Sequence, residues 1–260
     1  VLNNLSFYKY QGTGNDFVMI DDRSSSFPIG AIDLVQKMCD RRFGIGADGL
    51  ILIRKHPEAD FEMIYFNSDG SKSFCGNGSR CAVQFAYFLG MIGTKCSFMA
   101  IDGMHRGEVF PDGLVSISVR DVSEVEMNEQ FTFINTGSPH FIQYVSQLNT
   151  FPVVEEARKI RYNERFQKEG TNVNYVEVNG NSIDVRTYER GVEDETLSCG
   201  SGVTACALSF ALLHQQKSPV QIQTKGGTLQ VIFDQTGASS FRNIHLKGPA
   251  VQVFKGEWNG

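Results

Sequence analysis

Two cysteines carry the clearest chemical signal in the chain. Cys75 opens CGNGSRCA (75 to 82) and Cys199 opens CGSGVTACA (199 to 207), and each run continues into an apolar stretch, AVQFAYFLG or ALSFALLHQQ. A thiol just before Gly-x-Gly and a helix faces backbone N–H groups that lack intrahelical partners, and the helix dipole adds to their pull on negative charge. That setting favours the thiolate near neutral pH and makes the sulfur usable as a base. The glycines let backbone amides approach an anion such as a carboxylate without side-chain obstruction. Two such thiols on opposite sides of one bound carboxylate would remove a proton from one face of the adjacent carbon and return one to the other, inverting the stereocentre. Charge building on the carboxylate would be stabilised by two helix N-termini in a water-poor cleft. The expected chemistry is racemisation or epimerisation with no cofactor, since nothing marks a lysine for a pyridoxal Schiff base.

A lone cysteine is more often a packing residue, and Cys39, Cys81, Cys96 and Cys206 are expected to be that. Six cysteines spread over 260 residues point to free thiols, not a disulfide framework. Metal ligation is not expected: Cys75 and Cys81 are six residues apart and Cys199 and Cys206 seven, with no histidine beside either pair. The run Gly44-Ile45-Gly46-Ala47-Asp48-Gly49 fits a dinucleotide fingerprint in letters only, because it follows a helical segment and leads into a strand. Ser201 has no evident base partner, and a Cys75–His140 hydrolase would leave the second matched cysteine unexplained.

What must position the two thiols is legible as a repeat. The offset 199 − 75 = 124 also pairs, within a residue, TGNDFVMI (13 to 20) with TGSPHFI (136 to 142) and GLILI (49 to 53) with NYVEV (174 to 178). A period of that length means two like-folded domains, not a stacked array. Alternating apolar residues mark strands in LVSISVR (114 to 120), SIDVRTY (182 to 188), TLQVIF (228 to 233) and FRNIHL (241 to 246). Helical spacing is confined to 31 to 42, the stretch after Cys75, 153 to 161 and the stretch after Cys199. The expected fold is α+β: two similar domains, each a mainly antiparallel sheet curled around a central apolar helix, with the active site in the cleft between them. The domains are placed at 1–121 plus 250–260, carrying Cys75, and 122–249, carrying Cys199. With 24 basic and 29 acidic residues, a net charge of −5 and no basic run, nucleic acid is not an expected partner. No apolar run approaches membrane-spanning length and the N-terminal stretch lacks the layout of a signal peptide, so a cytoplasmic protein is expected.

Taken together, GTGNDF (12 to 17), RRFGIGADGL (41 to 50), YFNSDGS (65 to 71), CGNGSRC (75 to 81), GSPHF (137 to 141), TNVNYVEV (171 to 178), YERGVEDET (188 to 196) and CGSG (199 to 202) closely resemble the diaminopimelate epimerase family. The resemblance covers nearly the whole chain. It implies interconversion of LL- and meso-diaminopimelate, in lysine and peptidoglycan-precursor biosynthesis, without a cofactor. Cys75 and Cys199 correspond to the catalytic cysteines, with Cys75 on the LL side. Gly76, Asn77, Gly200 and Ser201 would hold the reacting carboxylate. Asn15, Asn67, Asn172, Glu189 and Arg190 match substrate-binding side chains, as suits a substrate with a second amino acid at its far end. His140 and Glu189 match residues that assist the thiols, His140 the first and Glu189 the second. Three positions depart from the family pattern: Ser138 stands for an Asn, Gly49 for a Gln in some members, and Phe254 for a Tyr tied to dimer contacts, which leaves a homodimer an open expectation. Competing readings are a proline or hydroxyproline racemase, a thiol redox protein and a carboxylate-binding module.

Overall fold

The structure, a computed structural model, describes residues 4–260. Residues 1–3, where the N-terminal stretch and the expected first domain begin, lie outside the described residues. The chain divides into two compact units, Val1–Ile117 with Gly248–Gly260, and Ser118–Lys247.

The first unit contains β1 (Leu5–Gly12), β2 (Asn15–Asp21), α1 (Ile32–Cys39), β3 (Gly49–Arg54), β4 (Phe61–Asn67), α2 (Gly76–Phe88), β5 (Lys95–Ala100), β6 (Gly103–Val109) and β7 (Leu114–Ser118). Neighbouring strands pair in sequence order, antiparallel except for β2 with β3 and β4 with β5. Parallel neighbours need a crossover connection, and α1 and α2 occupy these two crossovers. GLILI in β3 is buried along its length because both faces are covered. Val35, Met38 and Cys39 of α1 pack with Val18, Ile20, Leu50 and Leu52 on one face. On the other lies α2, where a Cβ added to Gly78 would stand 3.0 Å from Ile51 Cδ1 and 3.4 Å from the Phe17 ring. Strands β1, β2, β3, β4 and β6 all touch α2, so the sheet curls around it.

α1 stops at Cys39, short of the helix expected to 42. Asp40 turns to an extended backbone, ψ 127°, and its carboxylate accepts the Arg42 and Phe43 N–H groups, each at 2.7 Å. An aspartate that bonds the following backbone offers the chain a turn in place of another helical step.

The second unit repeats the plan with β8 (Val125–Met127), β9 (Thr132–Asn135), β10 (Pro139–Tyr144), α3 (Val153–Arg161), β11 (Asn172–Asn179), β12 (Ser182–Glu189), β13 (Asp194–Thr196), α4 (Gly200–His214), β14 (Val220–Thr224), β15 (Gly227–Gln235) and β16 (Phe241–Pro249). The parallel pairs are β10 with β11 and β12 with β14, spanned by α3 and α4; the other pairs, including β12 with β13, are antiparallel. Val153 and Ala157 of α3 cluster with Phe141, Val173, Tyr175 and Tyr188. α4, buried through most of its length, touches β9, β10, β11, β12, β14 and β15. At Gly248, near the end of β16, the chain re-enters the first unit and goes on as β17 (Val251–Trp258), antiparallel to β1. The α+β class, the mainly antiparallel sheets and the central helices agree with the expectation from sequence.

Candidate active site

In the first unit Cys75 is the N-cap of α2, with φ −134° and ψ 112°, and its sulfur accepts the Gly78 N–H at 3.4 Å. Asn15, the first residue of β2, presents Oδ1 to the thiol at 3.6 Å and to Asn77 Nδ2 at 3.4 Å. The amide cannot turn over, because its Nδ2 donates to Asp48 Oδ2 at 2.5 Å and a carboxylate only accepts. Asp48 is held in turn by Arg41 at 2.7 Å, and Arg41 and Lys9 both clamp Asp16, at 2.6 and 2.7 Å. Burial would raise the Asp16 carboxyl, yet the hydrogen bonds and charges of Arg41 and Lys9 outweigh it and hold the group below the usual carboxylate range. The decoy glycine run therefore delivers Asp48, which orients Asn15.

One turn into α2, Arg80 is wholly buried. It donates to Asn77 Oδ1 at 3.0 Å, to Thr13 Oγ1 at 3.3 Å, and to the carbonyls of Gly76 and Pro249, each at 3.4 Å. Burial pulls its pKa down to about 10, against the fields of the Cys81 and Cys75 sulfurs, so the guanidinium is charged at neutral pH. Asn67, at the end of β4, instead bonds Ser71 Oγ at 2.9 Å and Ser73 Oγ at 3.2 Å within its own turn. Opposite it in the β3–β4 register stands Gly49. A Cβ there would come within 2.4 Å of the Phe66 carbonyl oxygen and the Tyr65 ring, so the glycine is required by a close approach.

In the second unit Cys199 is the N-cap of α4, with φ −117° and ψ 112°, nearly the backbone of Cys75. Its sulfur lies 3.6 Å from Ser201 Oγ, which is 2.9 Å from His140 Nε2. His140 Nδ1 lies 3.3 Å from Asn174 Nδ2. Both ring nitrogens are thus engaged by partners inside the second unit. Burial, with the nearby Arg190 charge, pushes the imidazole down to about 3, so in this arrangement it is neutral at neutral pH.

Register sets the rest: His140 of β10 faces Asn172 of β11. Asn172 Nδ2 donates to Ser138 Oγ at 2.8 Å and to the Pro139 carbonyl at 3.0 Å, and its Oδ1 accepts the Arg190 N–H at 2.9 Å. Arg190 reaches the Glu169 carbonyl at 2.8 Å and Ser138 Oγ at 3.4 Å. Ser138, a departure from the family pattern, thereby joins Asn172 to Arg190. Glu189 ends β12, one residue before Arg190 and opposite Asp194.

Reading the sequence missed Asp48, Arg80 and Asn174. The signal for two of them is present: Arg80 interrupts an apolar helix, and Asn174 sits two residues from Asn172 on the inward face of an apolar strand. Among the described residues no disulfide links any two cysteines, no three His, Cys, Asp or Glu side chains are grouped to hold a metal, and no helix is long and apolar enough to cross a membrane.

A diaminopimelate epimerase family model matches residues 7–127 and 132–253. The chain is similar to the diaminopimelate epimerase of Flavobacterium psychrophilum, 48% identical over 254 residues, covering 96% of this chain and 99% of the relative. That of Aquifex aeolicus is 42% identical over 273 residues, covering 97% of each. Among solved structures, a phenazine biosynthesis protein of the PhzF family from Bacillus anthracis matches with a TM-score of 0.75 at 13% identity, covering 99% of each chain. A hydroxyproline epimerase from Agrobacterium vitis matches with 0.70 at 14% identity, covering 98% of this chain and 92% of that one. These two likenesses are of fold. With a family model spanning nearly its whole length and full-length relatives at this identity, the chain belongs to the diaminopimelate epimerase family.

Proposed function

We propose that this protein is an isomerase that interconverts LL- and meso-diaminopimelate by proton transfer at one α-carbon, Cys75 and Cys199 sharing the work as thiolate base and thiol acid. The observation that carries the reading is the match between the two thiols: each caps the N-terminus of a buried helix with almost the same backbone angles. Each helix start offers N–H groups and a positive dipole end to an anion. In the proposed complex the reacting carboxylate rests on Gly76-Asn77 and Gly200-Ser201, and the two sulfurs address opposite faces of its α-carbon.

Arg190, Asn172, Glu189, Asn15 and Asn67 bind the remainder of the substrate. Arg190 supplies the charge-assisted bond that a distal carboxylate needs, and the amide and carboxylate oxygens accept from its ammonium. His140 and Glu189 are the side chains that support the thiols. No cofactor, metal, nucleic acid or membrane takes part. The chain acts in the cytoplasm, on the route to lysine and peptidoglycan precursors.

In deuterated water the purified protein is expected to introduce deuterium at the α-carbon while equilibrating the LL and meso forms without added cofactor. Absence of exchange would sink the proposal. Cys75→Ala and Cys199→Ala should each abolish inversion; turnover retained in either variant would remove that cysteine from the mechanism.

A further inference from the structure

Behind Cys199 lies a chain of hydrogen-bonded side chains whose direction can be argued from its far end, Asn174. Asn174, on β11, donates from Nδ2 to the Phe141 carbonyl at 3.0 Å, and its Oδ1 accepts the Thr187 hydroxyl at 2.9 Å. A carbonyl can only accept, so the amide cannot be flipped. The second Nδ2 hydrogen then points at His140 Nδ1, 3.3 Å away, which must carry a lone pair. A neutral imidazole with a lone pair on Nδ1 carries its hydrogen on Nε2. Nε2–H therefore donates to Ser201 Oγ at 2.9 Å, and the hydroxyl hydrogen of Ser201 is available to the Cys199 sulfur, 3.6 Å away.

We propose that Asn174 is a positioning residue that holds His140 as the Nε2–H tautomer, so that Ser201 donates its hydroxyl hydrogen to Cys199 and favours the thiolate. The inference rests on the reading of Cys199 as an acid/base group and adds a direction to it. The imidazole moves no proton; it fixes which way the serine hydroxyl turns. When Cys199 has taken the α-proton, the hydroxyl rotates away and Ser201 Oγ still accepts from His140.

The geometry around Asn174 is specified as closely as the bonds. Gly202, in the first turn of α4, lies against it: a Cβ there would be 2.6 Å from Asn174 Oδ1 and 3.3 Å from the Cys199 sulfur. Arg190, whose charge helps keep His140 neutral, and Cys206, which lies in the field of Cys199, also act on this chain. In the first unit Cys75 faces the fixed acceptor Asn15 Oδ1 and lies in the field of the buried cation Arg80.

The test titrates Cys199 without turnover, by thiolate absorbance in a Cys75→Ala background. Burial pushes Cys39, Cys81 and Cys96 up to about 12 and Cys206 well above its ordinary value, so at lower pH the signal is that of Cys199. Ser201→Ala should move the titration up by about one pH unit, as expected on losing a hydrogen bond to a charged acceptor, and Ser201→Thr should restore it. Asn174→Asp should move it up as well, because a carboxylate draws the hydrogen to Nδ1 and turns Nε2 into an acceptor for Ser201. Nitrogen chemical shifts of His140 should report Nε2–H in the parent and Nδ1–H in Asn174→Asp. A parent Nδ1–H tautomer, or Ser201→Ala titrating with the parent, would overturn the proposal. Should Asn174→Asp fail to fold, the serine pair and the parent tautomer decide. Deuterium exchange by the unaltered enzyme judges the parent reading separately.

Discussion

Arg80 donates to the side-chain oxygen of Asn77 at 3.0 Å from a position where none of the guanidinium reaches solvent. The same cation braces the Gly76 carbonyl and Thr13, so a single buried fork holds the loop that carries Cys75. Arg80→Lys keeps the charge but replaces a planar fork with a point donor that cannot serve four acceptors. Steady-state epimerisation should show KM raised about tenfold, the equivalent of one lost charge-assisted bond. The urea midpoint should also fall, because at least one buried acceptor is left unmet.

His140 gives the fold an acid limit. Its imidazole takes up a proton at 6.5 by its ordinary value but at about 3 in the folded chain, where burial and Arg190 oppose the charge. Between those values the unfolded state binds more protons, so stability is complete above about pH 6.5 and is lost as pH falls toward 3. Urea midpoints measured across that window should drop less steeply in His140→Gln than in the parent. Proton NMR should find no titration of His140 between pH 5 and 8, roughly the range of an ordinary histidine.

Equivalent glycines in the two helices should respond differently to one added methyl group. At Gly202 the new carbon meets Asn174 Oδ1 at 2.6 Å, inside a bonded network, whereas at Gly78 it meets the far end of the Ile51 side chain at 3.0 Å. Gly202→Ala should cost about 1–3 kcal/mol and most of the activity, the range of overpacking a filled interior. Gly78→Ala should cost less, with Ile51 moving aside. Thermal unfolding and turnover of the two variants, side by side, check this.

A second pair tests the proposed distal substrate end. Arg190→Lys should raise KM at least about tenfold while leaving kcat nearly unchanged, since a guanidinium binds carboxylate through two bonds and an ammonium does not. Gly49→Gln should fail to restore any side-chain contact. The Phe66 carbonyl oxygen, 2.4 Å from the first added carbon, is backbone and cannot yield. Destabilisation of Gly49→Gln in urea, with no fall in KM, is the expected result.

Much of this protein is legible in its sequence. Local sequence determined the helices after Cys75 and Cys199, since a capping residue, two glycines and an apolar run dictate a buried helix wherever they occur. The repeat offset and the alternating strands determined the α+β class, because periodicity is a property of neighbours along the chain. Cys75, Cys199, Asn172 and Arg190 could be singled out for the same reason: each stands in a short motif.

Tertiary structure decided the rest, where bonds join residues far apart in sequence. Asp48 reaches Asn15 across 33 residues, and Asn174 reaches His140 across 34. No spacing along the chain reveals those contacts; they follow from parallel strand register. Register likewise put His140 beside Ser201, and burial there removed its proton. The sequence by itself determined which two sulfurs stand at helix N-termini. Only the fold decided which neutral and charged groups surround each of them, because hydrogen-bond direction and burial exist only once the strands have paired.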